Sequence, residues 1–345
     1  MRLRITIAVV LLMLGGSMWV FLHPLVQNPK ENRLQLYTDT PIEIVGKQLE
    51  EKGMLSNASW LTGSARIMGL RSVKPGSYLV SDGENLYQLL QRLAKGRQTP
   101  IKLILGNERT RLRTPYQFAS KMQRSDFTRA DSMAWIRFLR SNDSLKVFGV
   151  DTLTVMSRLL PLTFEIYWTD SPHQVYQTFM KSWNVFWNAT RKRQAETINL
   201  NPTEVHILAS IVEEETQHGP DRPLIASTYL NRLRTNMRLQ ADPSAKFGSG
   251  DFGAKRVTFA HLRHESPYNT YLHAGLPPGP ICLPSIAAID AVLQAPSTEY
   301  LFFVASHLFD GTSVFSKDYG EHLKKARLYQ EELTKRLNKK KTSSP

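Results

Sequence analysis

Arg2 and Arg4 are followed by eighteen residues without a charge, Ile5 to Leu22 (ITIAVVLLMLGGSMWVFL), and no other feature restricts the chain as severely. As a helix the run spans about 27 Å at ~1.5 Å per residue, close to the thickness of a hydrocarbon core. Trp19 and His23 fall near its far end, where interfacial side chains belong. Basic residues before the run and none just after it predict a cytoplasmic N-terminus and place the rest of the chain outside. The alternative is a cleaved signal peptide, with Gly15, Gly16 and Ser17 as the small-residue site. Continuation of the apolar run through Met18–Leu22 favours a retained single-pass anchor, and residues 1–25 are read as N-terminus and transmembrane helix. No cysteine follows the run. The single cysteine, Cys282, excludes lipoprotein processing there, an intramolecular disulfide framework and a cysteine-based zinc site.

Charge then narrows the partners. Lys and Arg number 44 against 30 Asp and Glu, a formal net charge of +14 over 345 residues. Such a balance favours an anionic partner: nucleic acid, an anionic membrane or an acidic polymer. On the outer side of a membrane nucleic acid drops out, and no recognition motif for it is present. Membrane surface and acidic wall polymer remain. Hydrophobic residues make up 41% of the chain, which excludes wholesale disorder, and the length suits two domains.

The pattern beyond the anchor is α+β. Residues 26–37 read as a polar linker, and residues 38–105 as a small α+β subdomain. In that subdomain Pro41–Lys52 and Ala58–Leu70 have helical spacing, and Ser77–Val80 reads as a strand. Ser81–Gly83 follows as a turn, Asn85–Ala94 as an amphipathic helix ended by Gly96, and Ile101–Leu105 as a second strand. A compact binding module and a packing subdomain without a ligand both fit. Residues 106–200 read as a helical connecting region. Tyr176, Phe179, Trp183, Phe186 and Trp187 lie at helical spacings there, a stripe that serves as core more often than as a sugar-stacking surface. Residues 201–337 form the larger, mixed α+β region that carries the chemistry, and 338–345 a basic, disordered tail.

The segment NPTEVHILASIVEEETQHGP predicts a helix capped by Asn201 or Thr203, with Pro202 in its first turn and Gly219 and Pro220 at its end. Val205, Ile207, Leu208, Ile211 and Val212 set its apolar direction. At ~100° per residue that direction lies about 12° from Glu215, about 110° from Glu214 and about 150° from Glu213. Glu213 and Glu214 therefore face water or the helix flank, and Glu215 continues the buried stripe. A carboxyl against apolar surface has its pKa raised, and the negative end of the helix dipole adds to the shift. A general acid working near neutral pH needs that shift. A salt bridge from Glu215 to Arg232 or Arg234 is the competing reading. A helix over Leu224–Arg234 follows. Two loops rich in Pro and Gly come next, MRLQADPSAKFGSGDFG and SPYNTYLHAGLPPGPICLPS, of the kind that line sites. A helix over Ser285–Gln294, a hairpin pairing TEYLFFVAS with GTSVFSK, and a last helix over Asp318–Leu337 complete the chain.

Two motifs are set aside. Gly248–Gly253 matches GxGxxG, but no apolar strand precedes it and no helix begins on it. His261 and His264 form an HxxH without a flanking carboxylate ligand, a structural pair rather than a metal site. No metal and no organic cofactor is implied.

ASIVEEET, YLNRL, MRLQADPS, SPYNTY, GLPPGPI and EYLFFVA follow in this order from Ala209 onward, over about 120 residues. In this the chain resembles the endolytic murein transglycosylases, the YceG-like family. The anchor agrees with that family, and residues 38–105 resemble its LysM-like subdomain. The middle matches more weakly: LLPLTFEIYW (159–168) stands in place of a FPDTY-type segment, and GNERTRL (106–112) in place of an EG-type turn.

The resemblance implies a lyase of the cytoplasmic membrane, facing the periplasm or cell surface and acting in wall assembly. Its substrate would be nascent peptidoglycan. It would cut the MurNAc-β-1,4-GlcNAc bond inside the strand and leave 1,6-anhydroMurNAc ends, terminating glycan elongation, with peptidoglycan synthases as partners. The family's catalytic glutamate maps to Glu215. Gln240, Asp242, Tyr268, Asn269 and Tyr271 are expected in the cleft as donors to acetamido groups and stacking surfaces, or else as loop braces. Asn231 is expected to brace the loops. Two alternatives differ in class: a hydrolytic muramidase with Asp242 as second carboxylate, and a non-catalytic glycan-binding scaffold for wall synthases.

Overall fold

The structure, a computed structural model, describes residues 32–106, 113–124, 127–254 and 256–342. The apolar run Ile5–Leu22 and residues 107–112 of the GNERTRL segment lie outside the described residues. Among the described residues no helix is long and apolar enough to cross a membrane. The fold is mixed α+β: many helices and small sheets, all two-stranded among the described residues. The chain divides into two compact units.

The first unit runs up to Leu103 and takes in Met122–Asp131 and Glu165–Ser171. Arg33–Leu36 pairs antiparallel with Gly76–Leu79, Arg33 facing Leu79 and Leu36 facing Gly76. A strand therefore begins inside the stretch expected to be linker. Leu34 and Leu36 point inward and are buried, but an alternation of four residues becomes a strand only through a partner far along the chain. The partner strand starts one residue before the expected Ser77. Thr40–Pro41 pairs with Ser72–Val73. The helices Ile42–Glu51, Ala58–Ile67 and Leu86–Ala94 close over a core containing Val45, Leu49, Leu61, Tyr78, Leu89 and Leu90. Asn57 and Asn85 cap two of them: Asn57 Oδ1 accepts from Ser59 N at 2.8 Å, and Asn85 Oδ1 from Gln88 N at 2.9 Å.

The second unit holds Ile104–Lys121, Ser132–Phe164 and the chain from Pro172 onward. The helix Pro172–Phe186 turns its aromatic stripe inward. Tyr176 and Phe179 are fully buried, and Trp183 and Trp187 nearly so, which makes the stripe core. The connecting region is not wholly helical, since Thr163–Ile166 is a strand.

At the centre stands the helix Pro202–Glu215. Its start is specified locally. Asn201 Oδ1 accepts from Thr203 N and Glu204 N, and Glu204 Oε2 accepts from Asn201 N, a reciprocal capping box contributing about 1 kcal/mol. All eight residues from Val205 to Val212 are buried, so the helix is wrapped and not merely amphipathic. Helices Arg222–Arg234, Asp242–Ser249 and Ile286–Leu293 pack against it. Ser210 fits this setting by donating to Ile207 O at 2.7 Å and accepting from Ile281 N at 3.0 Å.

Three expectations in this unit are corrected. The central helix does not run to Gly219. It ends at Glu215, where Thr216 turns extended (φ −144°, ψ 142°), and Gly219–Asp221 forms a separate 3₁₀ turn. The stretch expected as loop around residue 245 contains the helix Asp242–Ser249, with Pro243 in its first turn and Gly250 in the left-handed conformation at its end (φ 72°). Helical spacing is masked there by four small residues, Ser244, Ala245, Gly248 and Ser249. The last helix is Tyr319–Thr342, so the basic tail is helical up to Thr342; nothing in Asn338–Thr342 breaks a helix. The hairpin forms as expected, Phe302–Ala305 against Ser313–Ser316, with Phe302 opposite Ser316.

Candidate active site

Ending the central helix at Glu215 places three adjacent carboxylates in three different environments. Glu213 Oε1 meets Arg222 Nη2 at 3.0 Å, and Oε2 accepts from Ser285 N at 3.1 Å and from Ser285 Oγ. It thereby ties the central helix to the start of Ile286–Leu293. Glu214 pairs with Arg113 Nη2 at 3.4 Å. The outward direction expected for these two is thus a direction toward arginines, not toward bulk water. Glu215 Oε1 accepts from Tyr229 Oη at 2.5 Å.

Among the described residues no arginine pairs with Glu215. Arg232, 7% exposed, donates from Nε to Leu301 O at 2.7 Å and from Nη1 to Leu239 O, and Arg234 donates to Asn231 Oδ1 at 3.2 Å. Arg232 contributes only its field. Burial is the largest influence on the Glu215 carboxyl and pushes its pKa up to about 7 from an ordinary 4.5. The Tyr229 hydrogen bond pulls down, the Asp242 charge pushes up, Arg232 pulls down and Glu214 pushes up. The outcome is a carboxyl that keeps its proton well above the usual carboxylate range.

Glu215 and Asp242 line two cavities. The larger, about 480 Å³, is bordered by Arg113, Glu214, Lys246, Phe252 and Arg256. The smaller, about 290 Å³, is bordered by Tyr229, Arg232, Gln240, Tyr271, Phe302 and His322. The volumes lie in or near the range of small-molecule sites.

The expected site residues separate into two groups. Gln240, Asp242 and Tyr271 reach the cavities with Glu215. Tyr271 Oη donates to Asp242 Oδ1 at 2.6 Å, and Gln240 sits in the left-handed region (φ 49°). Asn269 does not reach them. It is fully buried, and its Nδ2 donates to the carbonyls of His261, Leu262 and His264 at 3.3, 3.1 and 2.9 Å, a loop brace with no donor left for a ligand. Tyr268 borders neither cavity; its ring lies 4.7 Å from that of Phe247 and packs on the core. Asn231 Nδ2 donates to Thr298 O and Tyr300 O, both at 2.9 Å, and so holds the segment leading into the hairpin. His261 accepts from Thr258 N through Nδ1 and faces Asp251 through Nε2, the role of a structural histidine.

Sequence reasoning named Arg232 only as a salt-bridge partner for Glu215, and it missed Tyr229, Arg113, Phe302, Tyr319 and His322. Tyr229 and Arg232 lie in YLNRL, where Tyr229 reads as an ordinary core aromatic. Phe302 lies in the EYLFFVA motif, where nothing marks it as a cavity residue, and Arg113, Tyr319 and His322 come from distant segments with no local signal.

The YceG-like family model matches residues 34–328. The endolytic murein transglycosylase of Bacillus subtilis (strain 168) is 25% identical over 340 residues, covering 92% of this chain and 91% of that protein. The endolytic murein transglycosylase of Streptococcus pneumoniae (strain ATCC BAA-255 / R6) is 24% identical over 314 residues, covering 81% of this chain and 55% of that longer protein. Among solved structures, the crystal structure of a YceG-like protein from Listeria monocytogenes matches with a TM-score of 0.53 and 25% identity, covering 85% of this chain and 98% of that one.

Proposed function

The chain belongs to the YceG-like family, and from that premise we propose that it is a lytic transglycosylase of peptidoglycan with Glu215 as its single catalytic acid and base. The observation that carries this reading is one carboxyl, pushed to about 7 by burial, bordering both cavities and held by a tyrosine. The names of its relatives support the substrate.

The reaction implied by the names of its relatives can run on Glu215 alone. Tyr229 holds Oε1, which leaves Oε2 for the substrate. Protonated Glu215 gives its proton to the glycosidic oxygen of the MurNAc-β-1,4-GlcNAc bond, and the C1–O bond breaks. The C6 hydroxyl of the same muramyl ring attacks C1, and its proton passes to the Glu215 carboxylate. A 1,6-anhydro end forms, Glu215 regains its proton and no water is consumed. Ordinary glycosidases need a second carboxyl for water or for a covalent adduct; here the sugar's own hydroxyl takes that part. Residues 5–22 would anchor the chain in the cytoplasmic membrane with this unit outside, where it would act on nascent strands beside the synthases. Residues 38–105 would be the LysM-like subdomain. The +14 charge suits acidic stem peptides and anionic lipid headgroups.

The test is mass spectrometry of products released from un-crosslinked glycan strands. Anhydromuramoyl ends are expected. Reducing ends would replace this reading by a muramidase using Asp242, whose carboxylate shares both cavities with Glu215. Strands left intact by a folded, membrane-inserted chain would replace it by a binding scaffold.

Tyr229→Phe separates positioning from chemistry. The hydroxyl stabilises the carboxylate form, so its loss moves the pH at which activity is lost upward from about 7. Losing one hydrogen bond to a charged group lowers kcat about tenfold. A pH–rate profile unmoved by Tyr229→Phe would remove Tyr229 from this role.

A further inference from the structure

The smaller cavity that Glu215 borders also has aromatic lining, and nothing above uses it. Phe302 comes from the EYLFFVA strand, Tyr319 and His322 from the first turn of the last helix. The Phe302 and His322 rings stack with centroids 5.3 Å apart at 25°, and Tyr319 lies 5.7 Å from Phe302 and 6.2 Å from His322. Arg232 sits over the Phe302 ring at 5.5 Å. The neighbouring Phe303 borders the same cavity but packs against the core, its ring 5.8 Å from that of Tyr229.

Two details distinguish this ledge from core. Tyr319 is 60% exposed although it lies among apolar rings, and His322 Nδ1 is buried with no hydrogen-bond partner among the described residues. A cluster of mutually tilted rings with an unused polar atom beside it, bordering the cavity that holds the acid, offers the exposed Tyr319 ring to one face of a pyranose: axial C–H groups over that ring and an equatorial polar group toward the imidazole.

We propose that Phe302, Tyr319 and His322 form a stacking subsite for an N-acetylglucosamine ring on one side of the scissile bond. The assignment of the sugar rests on the transglycosylase reading. If the bond cut joins one muramyl to one glucosaminyl residue at Glu215, one sugar lies in each cavity. Lys246 and Arg256 border the other cavity beside the Arg113–Glu214 pair, which suits the ring bearing the lactyl group and acidic peptide. The unsubstituted ring is left for the ledge, and it is the ring that departs as the new non-reducing end.

The experiment is calorimetric titration of the full chain carrying Glu215→Gln with the N-acetylglucosamine trimer, which has no muramyl group and no peptide. Adding Tyr319→Ala should weaken binding roughly three- to tenfold, while Tyr319→Phe should stay near the parent, since the ring and not the hydroxyl does the stacking. Tyr319 is exposed, so its loss leaves the core untouched, and unchanged thermal unfolding verifies this. Arg256→Gln should leave trimer binding unchanged and weaken binding of a peptide-bearing muramyl disaccharide. Equal trimer affinity with and without Tyr319, or no trimer binding to a folded chain, overturns the ledge. An Arg256→Gln effect confined to the trimer overturns the placing of the two sugars. Product analysis of the parent reads the transglycosylase assignment separately: a chain that stacks the trimer but yields no anhydro ends keeps the ledge and loses the lyase.

Discussion

Glu215→Gln should lose activity by about 10²–10⁴-fold, the range expected when a positioned acid–base group is removed, with release of anhydro ends as the readout. The same substitution should stabilise the protein in alkaline solution. In the folded chain the carboxyl titrates near 7, against an ordinary 4.5. Between those values the folded state holds a proton that the unfolded state has released. Stability attributable to this group is therefore fully present below about 4.5 and lost as pH rises through 7. At pH 8 the loss is on the order of 3 kcal/mol, taking ~1.36 kcal/mol per pH unit. Glutamine has no charge to bury. Unfolding at pH 8 should occur at a higher temperature in Glu215→Gln than in the parent, with the gap closing by pH 4. A gap independent of pH would contradict the burial argument, and an active Glu215→Gln would contradict the mechanism.

Gly279→Ala should be the most destabilising single methyl group in the loop GLPPGP. A Cβ at Gly279 would stand 2.1 Å from the Leu153 carbonyl oxygen and 2.8 Å from Tyr268 Oη. The nearer obstacle is backbone and cannot rotate away. A loss of about 3 kcal/mol or more is expected, at or beyond the upper end of ordinary overpacking. Gly275→Ala is the informative comparison. Gly275 has φ 84° but nothing within 4 Å of an added Cβ, so its cost is the left-handed backbone alone, about 1 kcal/mol. Denaturant midpoints rank the two; Gly279→Ala at or above the Gly275→Ala midpoint would show that the loop moves aside.

Elements with strong local signals were legible in the sequence. The helix Pro202–Glu215 announces itself through Asn201 and Pro202, and the helix Leu86–Ala94 through Asn85 and its leucines. The singling out of Glu215 among three glutamates also came from periodicity. Strand Arg33–Leu36 and helix Asp242–Ser249 were not legible, one because four residues carry too little pattern, the other because Ser, Ala and Gly dilute it. Of the cleft residues, composition could not separate Asn269 from Gln240. Both are amides in loops, and only the three carbonyls around Asn269 make it a brace.

What the sequence determined by itself was the set of local choices: caps, helical faces, the hairpin, the aromatic stripe as core, and a carboxyl aligned with an apolar face. These depend on neighbours within about one turn, and spacing records them. Tertiary structure decided what surrounds that carboxyl. Tyr229 reached Glu215 Oε1 from the next helix, while Arg232, one turn further, spent its donors on the Leu239 and Leu301 carbonyls. Arg113, Phe302 and His322 arrived from opposite ends of the second unit. A pKa depends on every charge and dipole within several ångströms whatever its position in the chain, so the shift to about 7 exists only once the chain has folded.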